Sequence, residues 1–176
     1  MAASPAYILE DQRRMTRARN YFEWQARLVL PHLGQRVVEI GAGIGNFTRH
    51  LLDRECVIAV ESDRACLDLL SKTFPSVSAE LRDIEHDSIS DLARYRPESC
   101  LFINVLEHIE DDSAALAKAA SIVEPGGTIV LFVPAFEALK DPLIGSLATI
   151  AAIRAHPSPR LPNRSDWKSR SSATST

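Results

Sequence analysis

Apolar residues recur at helical spacing near the start of the chain: Ile8, Leu9, Met15, Tyr21, Phe22, Trp24, Leu28 and Leu30. They predict a helix over 8–30, ended by Pro31. The pattern then changes to short continuous apolar runs, the signature of strands buried on both faces. Arg36–Ile40 is the first, Cys56–Val60 the second, Ser76–Leu81 a weaker third, Cys100–Val105 the fourth and Thr128–Val133 the fifth. Helices are expected between them: to about Asp53, with Phe47, Leu51 and Leu52 on one face; from about Arg64 to Lys72; and from a cap at Asp111 or Asp112 to Val123. Ile89–Arg96 reads as a short helix or loop, and Pro125-Gly126-Gly127 as a turn. Strands alternating with helices mean right-handed crossovers and a parallel sheet with helices on both faces, an α/β Rossmann-like fold.

Between the first strand and its helix stands Glu39-Ile40-Gly41-Ala42-Gly43-Ile44-Gly45-Asn46. Glycines at alternate positions let backbone N–H groups approach a ligand that a Cβ would hold off. The turn falls at the carboxyl end of a strand, where open α/β sheets bind nucleotides. Two cofactors compete, a dinucleotide and S-adenosylmethionine. Glu61, 22 residues after Glu39 and ending the second strand, suits either, since a carboxylate there accepts both ribose hydroxyls. The glycine spacing separates them. A dinucleotide turn reads G-x-G-x-x-G, and here Asn46 stands where the last glycine would be. Glu39, two residues before Gly41, also suits the ammonium of the methionine end. A charge ending an apolar strand is rarely left unpaired.

The strings VVEIGAGIGNFTRHLL, VIAVESD, INVLEHIEDD and EPGGTIVLFVPAF, in this order and spacing, resemble class I S-adenosylmethionine-dependent methyltransferases, most closely bacterial small-molecule enzymes. The resemblance covers roughly 20–147. It implies that Gly41, Ala42, Gly43 and Gly45 lie under the methionine and ribose, with Glu39 at the methionine end. Glu61 then binds the ribose, and Ser62 borders the adenine. Asp83 with Ile84 faces the adenine amino group, and Asn104 with Val105 forms the lip near the transferred methyl. Tyr21 and Trp24 match an aromatic pair that covers the cofactor in relatives. His108, just past the fourth strand, is the candidate base for a hydroxyl acceptor. Its bland alternative is a residue of the loop–helix junction paired with Glu107. The implied activity is methyl transfer to a small molecule. A non-catalytic cofactor-binding remnant and a nicotinamide-dependent oxidoreductase are the alternatives.

Composition narrows this. With 176 residues, 45% hydrophobic and 24% charged, the chain suits one globular domain. Net charge is −3, yet 154–176 carries four Arg and one Lys against one Asp, so the rest carries −7. Such an acidic body disfavours nucleic acid. Arg13, Arg14, Arg17 and Arg19 read as a solvated basic face. Cys56, Cys66 and Cys100 form no Cys-x-x-Cys pair, the five histidines lack metal-ligand spacing, and neither a signal core nor a membrane span is evident. A cytoplasmic protein with no metal is expected, its oligomeric state open.

After Pro134 the pattern decays. The last two strands of the seven-stranded methyltransferase sheet are expected to be missing, which leaves Thr128–Val133 as an apolar edge. The division expected is an N-terminal helical cap over 1–34, the cofactor-binding domain over 35–147, and a disordered, non-family tail over 148–176. The tail holds six Ser and three Pro. Reading shifted by two nucleotides from Ala148 can spell D-H-R-R and, near the end, G-L-E-V and L-R-Y-V-N, which look like the missing family sequence. A truncation or frameshift after about 147 is therefore the expectation.

Overall fold

A computed structural model describes residues 5–134 and 148–154. Helices α1 (Pro5–Met15) and α2 (Arg19–Val29) precede strand β1 (Arg36–Ile40). Then come β2 (Cys56–Glu61), α3 (Arg64–Thr73), β3 (Ser78–Leu81), β4 (Ser99–Ile103), α4 (Asp112–Ile122), β5 (Thr128–Pro134) and β6 (Ala148–Arg154). The strands form one sheet in the order β3-β2-β1-β4-β5-β6. The first five are parallel, and β6 runs antiparallel to β5.

Each central strand is buried on both faces, so alternate residues feed two cores. Val38, Ile40, Ile58, Val60, Cys100, Phe102, Ile129 and Leu131 pack with Ala115, Leu116, Ala119 and Ile122 of α4. The intervening Val37, Val57, Ala59, Leu101, Ile103, Val130 and Phe132 pack with Phe22, Ala26 and Val29 of α2 and Leu70 of α3. Side-chain alternation along each strand thus makes continuous apolar runs serve both layers. Asp63 caps α3 by accepting from Cys66 N at 2.9 Å, and Asp111 caps α4 by accepting from Ala114 N at 2.9 Å. Among the described residues no helix is long and apolar enough to cross a membrane.

Three expectations need correction. The single helix over 8–30 is two, broken at 16–18, because Thr16 is drawn aside: its hydroxyl donates to Asn46 Oδ1 at 3.0 Å, pinning the end of α1 beside the turn after β1. The helix expected up to Asp53 is only a 3-10 turn at Thr48–His50. Three positive-φ glycines precede it (Gly41 70°, Gly43 57°, Gly45 86°), and Thr48, which opens it, is turned inward to donate to Glu39 Oε2 at 2.6 Å. Phe47 and Leu51 are buried there as expected, but Leu52 turns out to solvent.

The third correction concerns the far edge. Residues 148–154, expected to be disordered, form β6, and β5 is covered rather than exposed. Backbone ladder bonds need no particular side chains, so the run Ala-Thr-Ile-Ala-Ala-Ile suffices to complete the pairing that β5 presents. The rest of the expected tail, 155–176, lies outside the described residues.

Along an edge strand, N–H groups point alternately at the neighbour and at solvent. Ala151 pairs with Leu131 and Ala152 with Val130. Of Ala151→Pro and Ala152→Pro, one removes a ladder donor and the other does not. Thermal unfolding should therefore show one variant destabilised by about 1–3 kcal/mol more than the other. Equal melting of both would refute the pairing.

Candidate functional site

The chain leaves β1 outward to β2 and β3, then returns to β4 on the other side of β1. Loops after β1 and β4 therefore diverge at their carboxyl ends and open a crevice, the place where open α/β sheets bind ligands. The glycine turn forms one wall. Gly41 N and Ala42 N donate to Val60 O at 2.8 and 3.1 Å, fastening the turn to the end of β2. A Cβ on Gly41 would lie 2.4 Å from Val105 of the opposite loop, so only glycine admits this approach. Glu61, ending β2, reaches back: its Oε2 accepts from Gly43 N at 2.7 Å, and its Oε1 from Asp63 N at 2.8 Å and Ser62 Oγ at 3.4 Å.

Glu39 shares the α2–α3 face of β1 with Val37 and is 2% exposed. Its Oε2 accepts from Thr48 Oγ1 at 2.6 Å. Burial pushes its carboxyl up to about 8, the Thr48 hydroxyl partly offsets this, and the charge of Glu61 adds to it. In this structure Glu39 closes on the 3-10 turn and holds it under the crevice.

The opposite wall follows β4. Asn104 takes the left-handed conformation (φ 53°), which Asn tolerates better than most residues, and its N–H donates to Phe132 O at 2.8 Å. Its side-chain Oδ1 is buried without a hydrogen-bond partner, as is Glu107 Oε2. Burial raises the Glu107 carboxyl, with its own backbone N–H and nearby His108 acting the other way. His108 itself is exposed. Tyr21 of α2 reaches this wall. Burial raises its hydroxyl, a hydrogen bond from Asn104 opposes that, and the Glu107 charge reinforces it. The Tyr21 ring lies 5.9 Å from Trp24, whose indole meets Phe132 edge-on at 5.7 Å. Gln25, one turn beyond Tyr21 on α2, is fully buried with both amide atoms unpartnered. Nothing in the sequence pattern marks it apart from its place on the apolar face of α2.

The loop after β3 is fastened both within itself and to α4. Asp83 accepts from Glu85 N at 2.8 Å and pairs with His86 Nδ1 at 2.9 Å. Burial pushes its carboxyl up, but these partners hold it below its ordinary range. Ile84 is buried, and Lys118 of α4 donates to the carbonyls of Ile84, Glu85 and Asp87 at 2.7–3.0 Å. Lys118 escaped the sequence reading because its partners are backbone atoms of a distant loop.

So did the latch on α1. Asn46 Nδ2 donates to Gln12 O at 2.9 Å and Oε1 at 3.2 Å, while Asn46 Oδ1 accepts from Thr16. The Gln12 side chain lies over Gly43, 2.9 Å from where a Cβ would stand. The residue that breaks the dinucleotide spacing thus binds α1 over the glycine turn. Asn46 was legible only as a departure from a motif. Among the described residues no cluster of His, Cys, Asp or Glu could hold a metal. Burial pushes the Cys66 thiol up to about 12 and raises Cys100 further, so neither is poised as a nucleophile.

The native state keeps a proton on Glu39 that the unfolded chain releases near its ordinary value of 4.5. Wild-type stability should therefore fall as pH rises from about 4.5 to about 8. Glu39→Gln keeps the acceptor for Thr48 and should flatten that part of the profile in denaturant titrations. Parallel profiles for both proteins would contradict the buried proton. Asn46→Ala should speed amide hydrogen exchange across α1 by on the order of tenfold and leave the sheet unchanged.

The family model of a methyltransferase domain matches residues 10–169, a stretch that runs past 147. Uncharacterized methyltransferases of Mycobacterium bovis and Mycobacterium tuberculosis are 29% identical over 104 residues, 58% of this chain and 41% of theirs. The chain thus spans about two fifths of the length of the curated relatives it matches. Among solved structures, a TehB-like S-adenosylmethionine-dependent methyltransferase from Corynebacterium glutamicum superposes with a TM-score of 0.63 at 19% identity, covering 75% of each chain. A Thermotoga maritima protein described as a possible histamine N-methyltransferase gives 0.57 at 21%, covering 70% of this chain and 57% of that one. The Rossmann-like sheet, the crevice between β1 and β4 and the family match agree: the chain belongs to the methyltransferase domain family.

Proposed function

We propose that this protein transfers a methyl group from S-adenosylmethionine to a small molecule. The observation that carries the reading is the pair of walls at the switch point: the glycine turn clamped by Glu61 Oε2 to Gly43 N at 2.7 Å, and the Asn104–Val105 lip against Gly41. The donor set fits the cofactor. Glu61, whose carboxylate ends β2 at the crevice, offers oxygens for the ribose hydroxyls.

On this reading Gly41, Ala42, Gly43 and Gly45 lie under the methionine and ribose, and Glu39 supports the methionine end. Ser62, Asp83 and Ile84 border the adenine. Tyr21 and Trp24, with α1 above the turn, shield the site from water. Val105 stands at the lip beside the acceptor, and His108 is the sequence candidate for a base. Bound there, the cofactor supplies a methyl group on a positively charged sulfur, already activated. The protein's task is then alignment, which supplies on the order of 7–11 kcal/mol where orientation is good.

Calorimetric titration of S-adenosylmethionine into the 176-residue chain tests this. Saturable binding is expected. Glu61→Ala should weaken it at least tenfold, about 1.4 kcal/mol, and Gly43→Arg should abolish it, with circular dichroism unchanged in both. A folded wild-type chain that does not bind would overturn the proposal.

A further inference from the structure

Past β4, two buried side-chain oxygens have no hydrogen-bond partner: Asn104 Oδ1 and Glu107 Oε2. Both come from one short loop, in which Asn104 N donates to Phe132 O at 2.8 Å; Trp24 packs edge-on against that Phe132 at 5.7 Å, and next to it stands Tyr21. Its ring and that of Trp24 stand 5.9 Å apart, and Trp24 is 39% exposed. Unpaired buried acceptors are costly unless a ligand supplies the missing donors. One of these acceptors belongs to a carboxyl group, and the Tyr21–Trp24 ring pair packs on the same wall through Phe132. That combination suits a cation carrying several N–H bonds. It disfavours a phenolate or a carboxylate, which the Glu107 charge would repel. The nearby basic side chain, His108, is exposed and sits outside the pair.

We propose that Tyr21, Asn104 and Glu107 form the acceptor site and that it takes amines, the N–H groups being held by Glu107 Oε2 and Asn104 Oδ1 against the Tyr21 and Trp24 rings. This rests on the methyltransferase reading above. An ammonium arrives with its lone pair engaged. Its N–H bond breaks, the proton forms an O–H bond with the Glu107 carboxylate, and the electron pair stays on nitrogen, now neutral and nucleophilic. Glu107 is thereby assigned the proton-accepting role that the sequence pattern suggested for His108.

The test uses the full chain saturated with S-adenosylhomocysteine. Three probes of similar shape, phenethylamine, 2-phenylethanol and phenylacetate, are titrated by ligand-observed NMR. The amine should bind at least tenfold more tightly than the alcohol, and the carboxylate weakest. Glu107→Gln should reduce the amine preference to threefold or less, Glu107→Asp should retain part of it, and both should bind S-adenosylhomocysteine within threefold of wild type. Absence of an amine preference, including no amine binding, overturns the proposal. So does a preference that survives Glu107→Gln. A tenfold loss of S-adenosylhomocysteine affinity in Glu107→Gln, with amine binding intact, assigns the carboxylate to the cofactor's own amino-acid end and likewise overturns it. Failure of S-adenosylhomocysteine to bind wild type is read separately and overturns the cofactor reading, and this one with it.

Discussion

The structure turns on the clamp between Glu61 and Gly43. One carboxylate at the end of β2 accepts a backbone N–H from the turn after β1, and its second oxygen organises the start of α3. Three positive-φ glycines would otherwise leave that turn free to sample many conformations. Fastening to Glu61 and to Val60 O leaves it one. The crevice wall is therefore an extension of the sheet, and its rigidity derives from the most buried part of the molecule.

Around that clamp the polar groups are arranged in tiers. Glu39 sits lowest, sealed in the core and holding the 3-10 turn through Thr48. Asn46 sits above, tying α1 across the glycines. Asn104 and Glu107 stand opposite, each with one buried side-chain oxygen left unsatisfied. Glu39 and Asn46 are paired within the protein, whereas Asn104 Oδ1 and Glu107 Oε2 are not.

Much of this was legible from residue order. Strands β1, β2, β4 and β5 follow from apolar runs whose length and β-branched content admit little else. The cap of α4 follows from Asp at the right offset, Asp111 being one of the two candidates. Glu39, Gly41, Gly43 and Glu61 were legible because a turn of this kind demands those residue types locally. The break in the first helix was hidden, since Thr16 is unremarkable until Asn46, 30 residues away, engages it. Lys118 and Gln25 were hidden for the same reason, as their surroundings are assembled from distant segments. The sixth strand was missed because backbone pairing recognises an available edge, not a side-chain pattern.

By itself, the sequence determined the βα alternation, the parallel sheet and the position of the glycine turn, all set by local periodicity and by the conformations that glycine alone allows. Only tertiary structure decided where the chain reverses across the sheet, which acids are sealed and which are open, and what covers β5. Those depend on distances between residues far apart in the chain. A carboxyl group's chemistry follows from what lies within a few ångströms of it, which sequence spacing does not encode.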